Sequence, residues 1–135
     1  MTEAVVFRAA RVVDPAGGRD EIADVWVRDG RVASVGDDAP SGDAEALDCE
    51  GLVLAPGLVD LHTHLREPGR EDKETVETGS RAAAAGGFTA VSPMANTDPV
   101  ADNAAVIHEV RALAAAAGLC DVFPVGAITR GLAGE

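Results

Sequence analysis

The chain has 135 residues, 47% hydrophobic and 25% charged, the make-up of a folded globular protein rather than a disordered or fibrous segment. Its net charge of −12, with Lys73 as the only lysine, excludes a nucleic-acid or anionic-membrane surface, which needs clustered cations. No apolar run reaches the roughly 18 residues of a membrane span, and Met1-Thr2-Glu3-Ala4 lacks the basic and apolar regions of a signal peptide.

Aromatic residues make up only 3%, so alanine, valine and leucine must form most of any core. The first 54 residues read as short strands. Val5-Val6-Phe7 and Arg11-Val12-Val13 come first, closed by Asp14-Pro15-Ala16-Gly17-Gly18. Val25-Trp26-Val27 and Val32-Ala33-Ser34-Val35 then flank Arg28-Asp29-Gly30-Arg31. An Asp-Gly pair between alternating apolar runs is a strong signal for a tight hairpin. Asp37 to Asp43, with Pro40 and Gly42, reads as a polar loop. Leu47-Asp48-Cys49 and Leu52-Val53-Leu54 lead on to Ala55-Pro56-Gly57. About 50 residues of strand make a marginal core alone, so this part is expected to pair with further structure. Cys49 and Cys120 match no zinc or redox spacing and read as free thiols, which fits a cytoplasmic protein.

From Gly57 the pattern changes to alternating strand and helix. A strand at 58 to 65 precedes a helix over about 71 to 85, which Gly86-Gly87 should end with a left-handed cap. Phe88-Thr89-Ala90-Val91 is a second strand, ending near Asn96. Asp102 is the predicted N-cap of a second helix, whose apolar positions Val106, Val110, Leu113 and Ala117 recur at helical spacing before Gly118. Asp121 to Ile128 is the third strand. Such alternation predicts βαβ units and a parallel sheet, with functional groups at the C-terminal strand ends. His62, His64 and Arg66 end the first strand, while Asn96 and Thr97 end the second. Two polar sets thus reach one rim independently.

Strict alternation predicts Asp60, His62, His64 and Arg66 on one face of the first strand, with Val59, Leu61, Thr63 and Leu65 on the other. Histidines at i and i+2 stand about 6 to 7 Å apart at Cα, near enough for both rings to meet one ion. The forked donor of Arg66 would hold a substrate carboxylate, or else pair with Glu67 or Glu71 at the surface. Asp60 would orient a histidine ligand or pair with a neighbour. A His-x-His pair is a weak signature by itself. The turns Ala55-Pro56-Gly57 before it and Pro68-Gly69 after it strengthen it. His108 is discounted as a ligand because it sits mid-helix, and Lys73 is expected on a helix surface.

The run His62-Thr63-His64-Leu65-Arg66-Glu67-Pro68-Gly69 resembles the dihydroorotases among the metal-dependent cyclic amidohydrolases. The resemblance continues through Glu71-Asp72-Lys73-Glu74-Thr75, Gly86-Gly87-Phe88-Thr89 and Met94-Ala95-Asn96-Thr97-Asp98-Pro99, covering nearly the whole chain. It implies an α/β fold: residues 55–135 would be the first three strands and two helices of a TIM-type (β/α)8 metallohydrolase barrel. Residues 1–54 would be the N-terminal part of a small β-sandwich domain, completed by strands from the far C-terminus. The implied activity is zinc-dependent interconversion of N-carbamoyl-L-aspartate and L-dihydroorotate in pyrimidine synthesis, with two zinc ions in a complete site. His62 and His64 would bind the first zinc, and His64, Arg66 and Asn96 would contact the substrate. The bridging ligand, two further histidines and a catalytic aspartate come from later strands in this family, so no catalytic residue is expected within residues 1–135. Ala95 departs from the pattern, standing where many relatives have proline, which bears on Asn96 more than on the histidines.

The resemblance leaves two other readings. A hydantoinase or allantoinase would open a ring without the acid group, and Arg66 argues against it. A non-catalytic scaffold subunit would tend to lose metal ligands, whereas this chain keeps both histidines. Beyond the small-molecule substrate, the partners it allows are further copies of the chain or aspartate transcarbamoylase. A complete barrel takes about 250 residues, and Thr129 to Glu135 reads as a loop after an open strand edge. The expectation is the N-terminal third of a longer enzyme, poorly soluble and inactive in isolation.

Overall fold

The computed structural model describes residues 4–36 and 43–134. The polar loop expected at 37–43 therefore lies, apart from Asp43, outside the described residues. The chain divides into two compact units, Met1–Pro56 and Gly57–Glu135.

The first unit holds one five-stranded sheet. β1 (Ala4–Asp14) pairs antiparallel with β2 (Arg19–Arg28), which pairs with β3 (Arg31–Val35). β4 (Glu45–Asp48) and β5 (Val53–Leu54) both run parallel to β1. The two strands expected at 5–7 and 11–13 are one continuous strand. A bulge between Phe7 and Ala10 absorbs the interruption, with Ala9 at φ 53° and its N–H donated to Asp24 Oδ1 at 2.9 Å. The β2–β3 turn is as expected: Asp29 and Gly30 have φ of 51° and 70°, the left-handed pair that a tight hairpin requires. Ala10, Val12 and Val25 are buried together, with Phe7, Val27, Val35 and Leu54 half-buried around them. A single sheet with so small a core is part of a sandwich at most, since its second layer is not among the described residues.

The second unit is a parallel sheet in the order β6 (Leu58–Thr63), β7 (Phe88–Pro93), β8 (Asp121–Val122). The helices α1 (Val76–Ala85) and α2 (Ala104–Ala117) form its crossovers. Leu65, Val76, Val91, Val110, Ala114 and Val122 make the core between sheet and helices. Val59, Leu61 and Phe123 are more than half exposed. This is the predicted βαβ order without a closed barrel.

Local chemistry moves several predicted boundaries. α1 starts at Val76 rather than near 71, because Thr75 caps it: its hydroxyl accepts from the Thr78 N–H while Thr78 Oγ1 accepts from the Thr75 N–H. Lys73 thus lies in the turn before the helix, not on it. Gly87, at φ 81°, is the left-handed residue after α1. Asn103, not Asp102, caps α2, its Oδ1 accepting from the Ala105 and Val106 N–H groups. The strand expected at 121–128 ladders only at Asp121–Val122, yet Phe123 and Val125 still donate to the Val91 and Pro93 carbonyls at 2.9 Å each. That continued pairing carries the chain toward the strand ends.

Candidate active site

The strand that bears the histidines is not uniform. Asp60 pairs with Val91 and Thr63 with Pro93, so β6 spends one more residue than β7 between those points. This bulge breaks the period-2 alternation. Asp60 joins Thr63 and Leu65 beside Glu74, Gly79 and Ala83 on the α1 side. His62 and His64 instead line a groove with Met94, Ala95 and Asn96. Asp60 therefore does not share the histidine face. Its Oδ1 accepts from the His62 backbone N–H at 2.9 Å, a local turn that shapes the bulge. Val59 and Leu61, expected behind the site as packing, are exposed instead.

His62 and His64 bring their ring centroids to 5.4 Å at an interplanar angle of 69°. His64 Nδ1 lies 2.9 Å from Asn96 Oδ1. An amide oxygen only accepts, so Nδ1–H is the donor in this contact, and in the neutral ring that tautomer leaves the Nε2 lone pair for a ligand. The two strand ends thus meet as expected, and the Ala95 departure does not carry Asn96 away: Ala95 is buried, and its carbonyl accepts from the Ala101 N–H at 3.0 Å. The rest of the groove comes from Val125 to Thr129 and from Leu132, after β8. Sequence reading missed this wall. Its one signal was that a third strand end must reach the same rim.

Arg66 is held on both sides. Leu65 before it is buried in the core. After it, Glu67 Oε2 accepts from the Val76 N–H at 2.7 Å, a carboxylate placed at the start of α1. Arg66 itself has φ 64°, with the Glu67 N–H donated to the Leu65 carbonyl at 2.8 Å, which makes it the centre of a γ-turn. Pro68 is buried, and its carbonyl accepts from the Asp98 N–H at 2.9 Å, joining the loops after β6 and β7. Gly69, at φ 96°, has no room for a Cβ against the Asp98 carbonyl. Glu71 Oε1 accepts from the Gly69 N–H at 2.7 Å. That bond, and then Glu71's own N–H, hold the Glu71 carboxyl below the ordinary carboxylate range.

Neither Glu67 nor Glu71 pairs with Arg66. Among the described residues the guanidinium makes no hydrogen bond or ion pair, and it does not line the histidine groove. His62, His64 and Asn96 are brought together; Arg66 stands on the next loop.

The donor set fits part of a zinc site. Two imidazoles, one with its second nitrogen held by an amide oxygen, are suitable ligands, but zinc takes three or four protein groups. Among the described residues no three His, Cys, Asp or Glu side chains cluster as a metal site. His108 is exposed on α2, and Cys49 and Cys120 are free thiols in separate units. No helix among the described residues is long and apolar enough to cross a membrane.

A family model described as dihydro-orotase-like matches residues 51–135. The chain is 53% identical to a dihydroorotase of Syntrophotalea carbinolica over 131 residues, covering 97% of this chain and 31% of that protein. It is 56% identical to a dihydroorotase of Anaeromyxobacter dehalogenans strain 2CP-C over 137 residues, covering 100% and 31%. The chain thus spans under a third of the length of these curated relatives. Among solved structures, an L-hydantoinase from Arthrobacter aurescens matches with a TM-score of 0.78 at 27% identity, over 93% of this chain and 28% of that one. A dihydropyrimidinase from Brevibacillus agri NCHU1002 matches with a TM-score of 0.65 at 28% identity, over 92% and 26%.

Proposed function

The chain belongs to the dihydro-orotase-like family, and from that membership we propose that it forms part of a zinc-dependent dihydroorotase of pyrimidine synthesis. The observation that carries the reading is the groove that joins His62, His64 and Asn96, with Arg66 on the loop directly after it. In this reading His62 and His64 hold the first of two zinc ions, and Asn96 keeps the His64 ring turned with Nε2 toward the metal. Zinc bound there would polarise the amide carbonyl and make water a competent nucleophile at neutral pH. Arg66 supplies a forked donor for the carboxylate of dihydroorotate or N-carbamoyl-aspartate, aided by the amide N–H2 of Asn96, while the His64 ring lies against the substrate.

The bridging ligand, the remaining histidines and the catalytic aspartate are assigned to parts of the complete protein outside these 135 residues. The isolated chain is accordingly proposed to bind metal weakly and to turn over nothing. A cytoplasmic location, and association with further copies or with aspartate transcarbamoylase, belong to the same reading. A hydantoinase reading is the weaker one, since it would leave the guanidinium of Arg66 without an acid group to meet.

The test is turnover by the complete zinc-loaded protein. Dihydroorotate should be opened, and Arg66→Ala should lower its kcat/KM by about two orders of magnitude while hydantoin turnover barely changes. Equal loss on both rings would sink the role of Arg66. Metal binding without turnover of either ring would favour a scaffold subunit.

A further inference from the structure

The geometry points to Asp102 as a positioning residue that pins the wall of the histidine groove formed after β8, and thereby sets the room for a small ring beside His62 and His64. This deepens the cyclic-amide reading above and rests on it. Asp102 directly precedes the N-cap of α2 yet takes no part in capping, which Asn103 does. Its Oδ2 accepts from the Gly131 N–H at 2.8 Å, 29 residues away, while Oδ1 accepts from Asn103 Nδ2 at 3.0 Å. The segment so held is a 3-10 turn, Arg130–Leu132, and Leu132 lines the same groove as the two histidines.

That turn needs an anchor. Gly131 and Leu132 both stand at φ 59°, and a leucine in the left-handed region persists only where its surroundings impose it. Leu132 is also half-exposed, so burial does little to hold it. The wall's other ties to the β7 side run from backbone to backbone: Val125 N–H to the Pro93 carbonyl at 2.9 Å and Ala127 N–H to the Ala101 carbonyl at 2.8 Å. Both lie upstream of the turn. Among the described residues, Asp102 is the one side chain of the loop after β7 that hydrogen-bonds to the turn, and the Arg130 guanidinium adds a weaker attraction to its carboxylate. Bonds to an ionised acceptor are of the stronger kind, and the Gly131 N–H in turn holds the Asp102 carboxyl below its ordinary range.

The experiment compares Asp102→Ala with Asp102→Asn in the complete zinc-loaded protein. It reads steady-state kinetics on dihydroorotate together with hydrogen exchange over residues 125–134. Asp102→Ala should speed exchange across 129–134 about tenfold or more, and raise KM by a comparable factor with kcat nearly unchanged. Asp102→Asn, which keeps an oxygen for the Gly131 N–H, should restore most of both. Exchange along α2 should be the same in all three proteins, which separates loss of the tether from loss of the fold. Unchanged exchange at 129–134 in Asp102→Ala, or a KM that rises equally in both variants, would overturn the assignment. A wild-type protein inert toward every cyclic amide would count against the functional reading instead, and the exchange comparison would still judge the tether.

Discussion

Asn96 and His64 meet across neighbouring strand ends, amide oxygen to ring Nδ1 at 2.9 Å. The contact joins residues 32 positions apart in the chain. In the neutral ring it favours the tautomer with the N–H on Nδ1, which leaves Nε2 as the nitrogen free to bind. It also makes the candidate site a property of two strands rather than of one motif.

Under the zinc reading proposed above, removing that amide should be felt in metal binding before it is felt by the fold. Asn96 is exposed and caps no helix, so Asn96→Ala should leave thermal stability nearly unchanged. It should weaken zinc binding by about tenfold or more, as loss of an outer hydrogen bond to a histidine ligand usually does. Competition titration with a chromogenic chelator on the complete protein measures this. Unaltered affinity would mean that the amide does not orient the ring for a metal.

Gly69 should tolerate no side chain. Its φ of 96° suits glycine alone, and a Cβ there would overlap the Asp98 carbonyl oxygen, a backbone atom that cannot rotate aside. Gly69→Ala should cost about 2 to 4 kcal/mol and separate the loops after β6 and β7. A denaturant midpoint equal to that of wild type would contradict the close approach.

Glu67 links the Arg66 loop to α1 by accepting from the Val76 N–H. Glu67→Ala leaves that first-turn donor without its partner and should destabilise by about 1 to 2 kcal/mol. Glu67→Gln retains an oxygen but not the charge and should cost less. Melting temperatures of the two variants settle the order; a reversed order would show that the carboxylate is not acting at the helix terminus.

The Glu71 carboxyl, held below its ordinary range first by the Gly69 N–H, makes the loop sensitive to acid. A group whose folded pKa is depressed contributes stability above its unfolded pKa, and loses it as pH falls through the folded value. Protection of the Gly69 amide from hydrogen exchange should thus be full near neutrality and decline below the ordinary carboxylate range. In Glu71→Gln it should be lower throughout and flat with pH. A decline of the same shape in that variant would move the cause to another group.

Much of this was legible in the residues themselves. Alternating apolar runs, the Asp29-Gly30 pair and the two stretches of helical periodicity each report a local backbone preference, and local preferences need no knowledge of the partner strand. The same holds for the meeting of His64 and Asn96, because parallel βαβ order brings successive strand ends to one rim.

What period-2 reading could not supply was the bulge between Asp60 and Thr63, which moves Asp60 to the helix side and leaves the histidines at the groove. A bulge is defined by how many residues the neighbouring strand spends over the same distance, and that count exists only once the two strands are paired. The choice of Asn103 over Asp102 as the cap is of the same kind: both residues can accept from a helix start, and Asp102 is committed to Gly131, 29 residues on. Residue types and local order follow from the chain alone. Which face a side chain takes, and which of two equivalent acceptors is already engaged, is decided by distant backbone brought close in the fold.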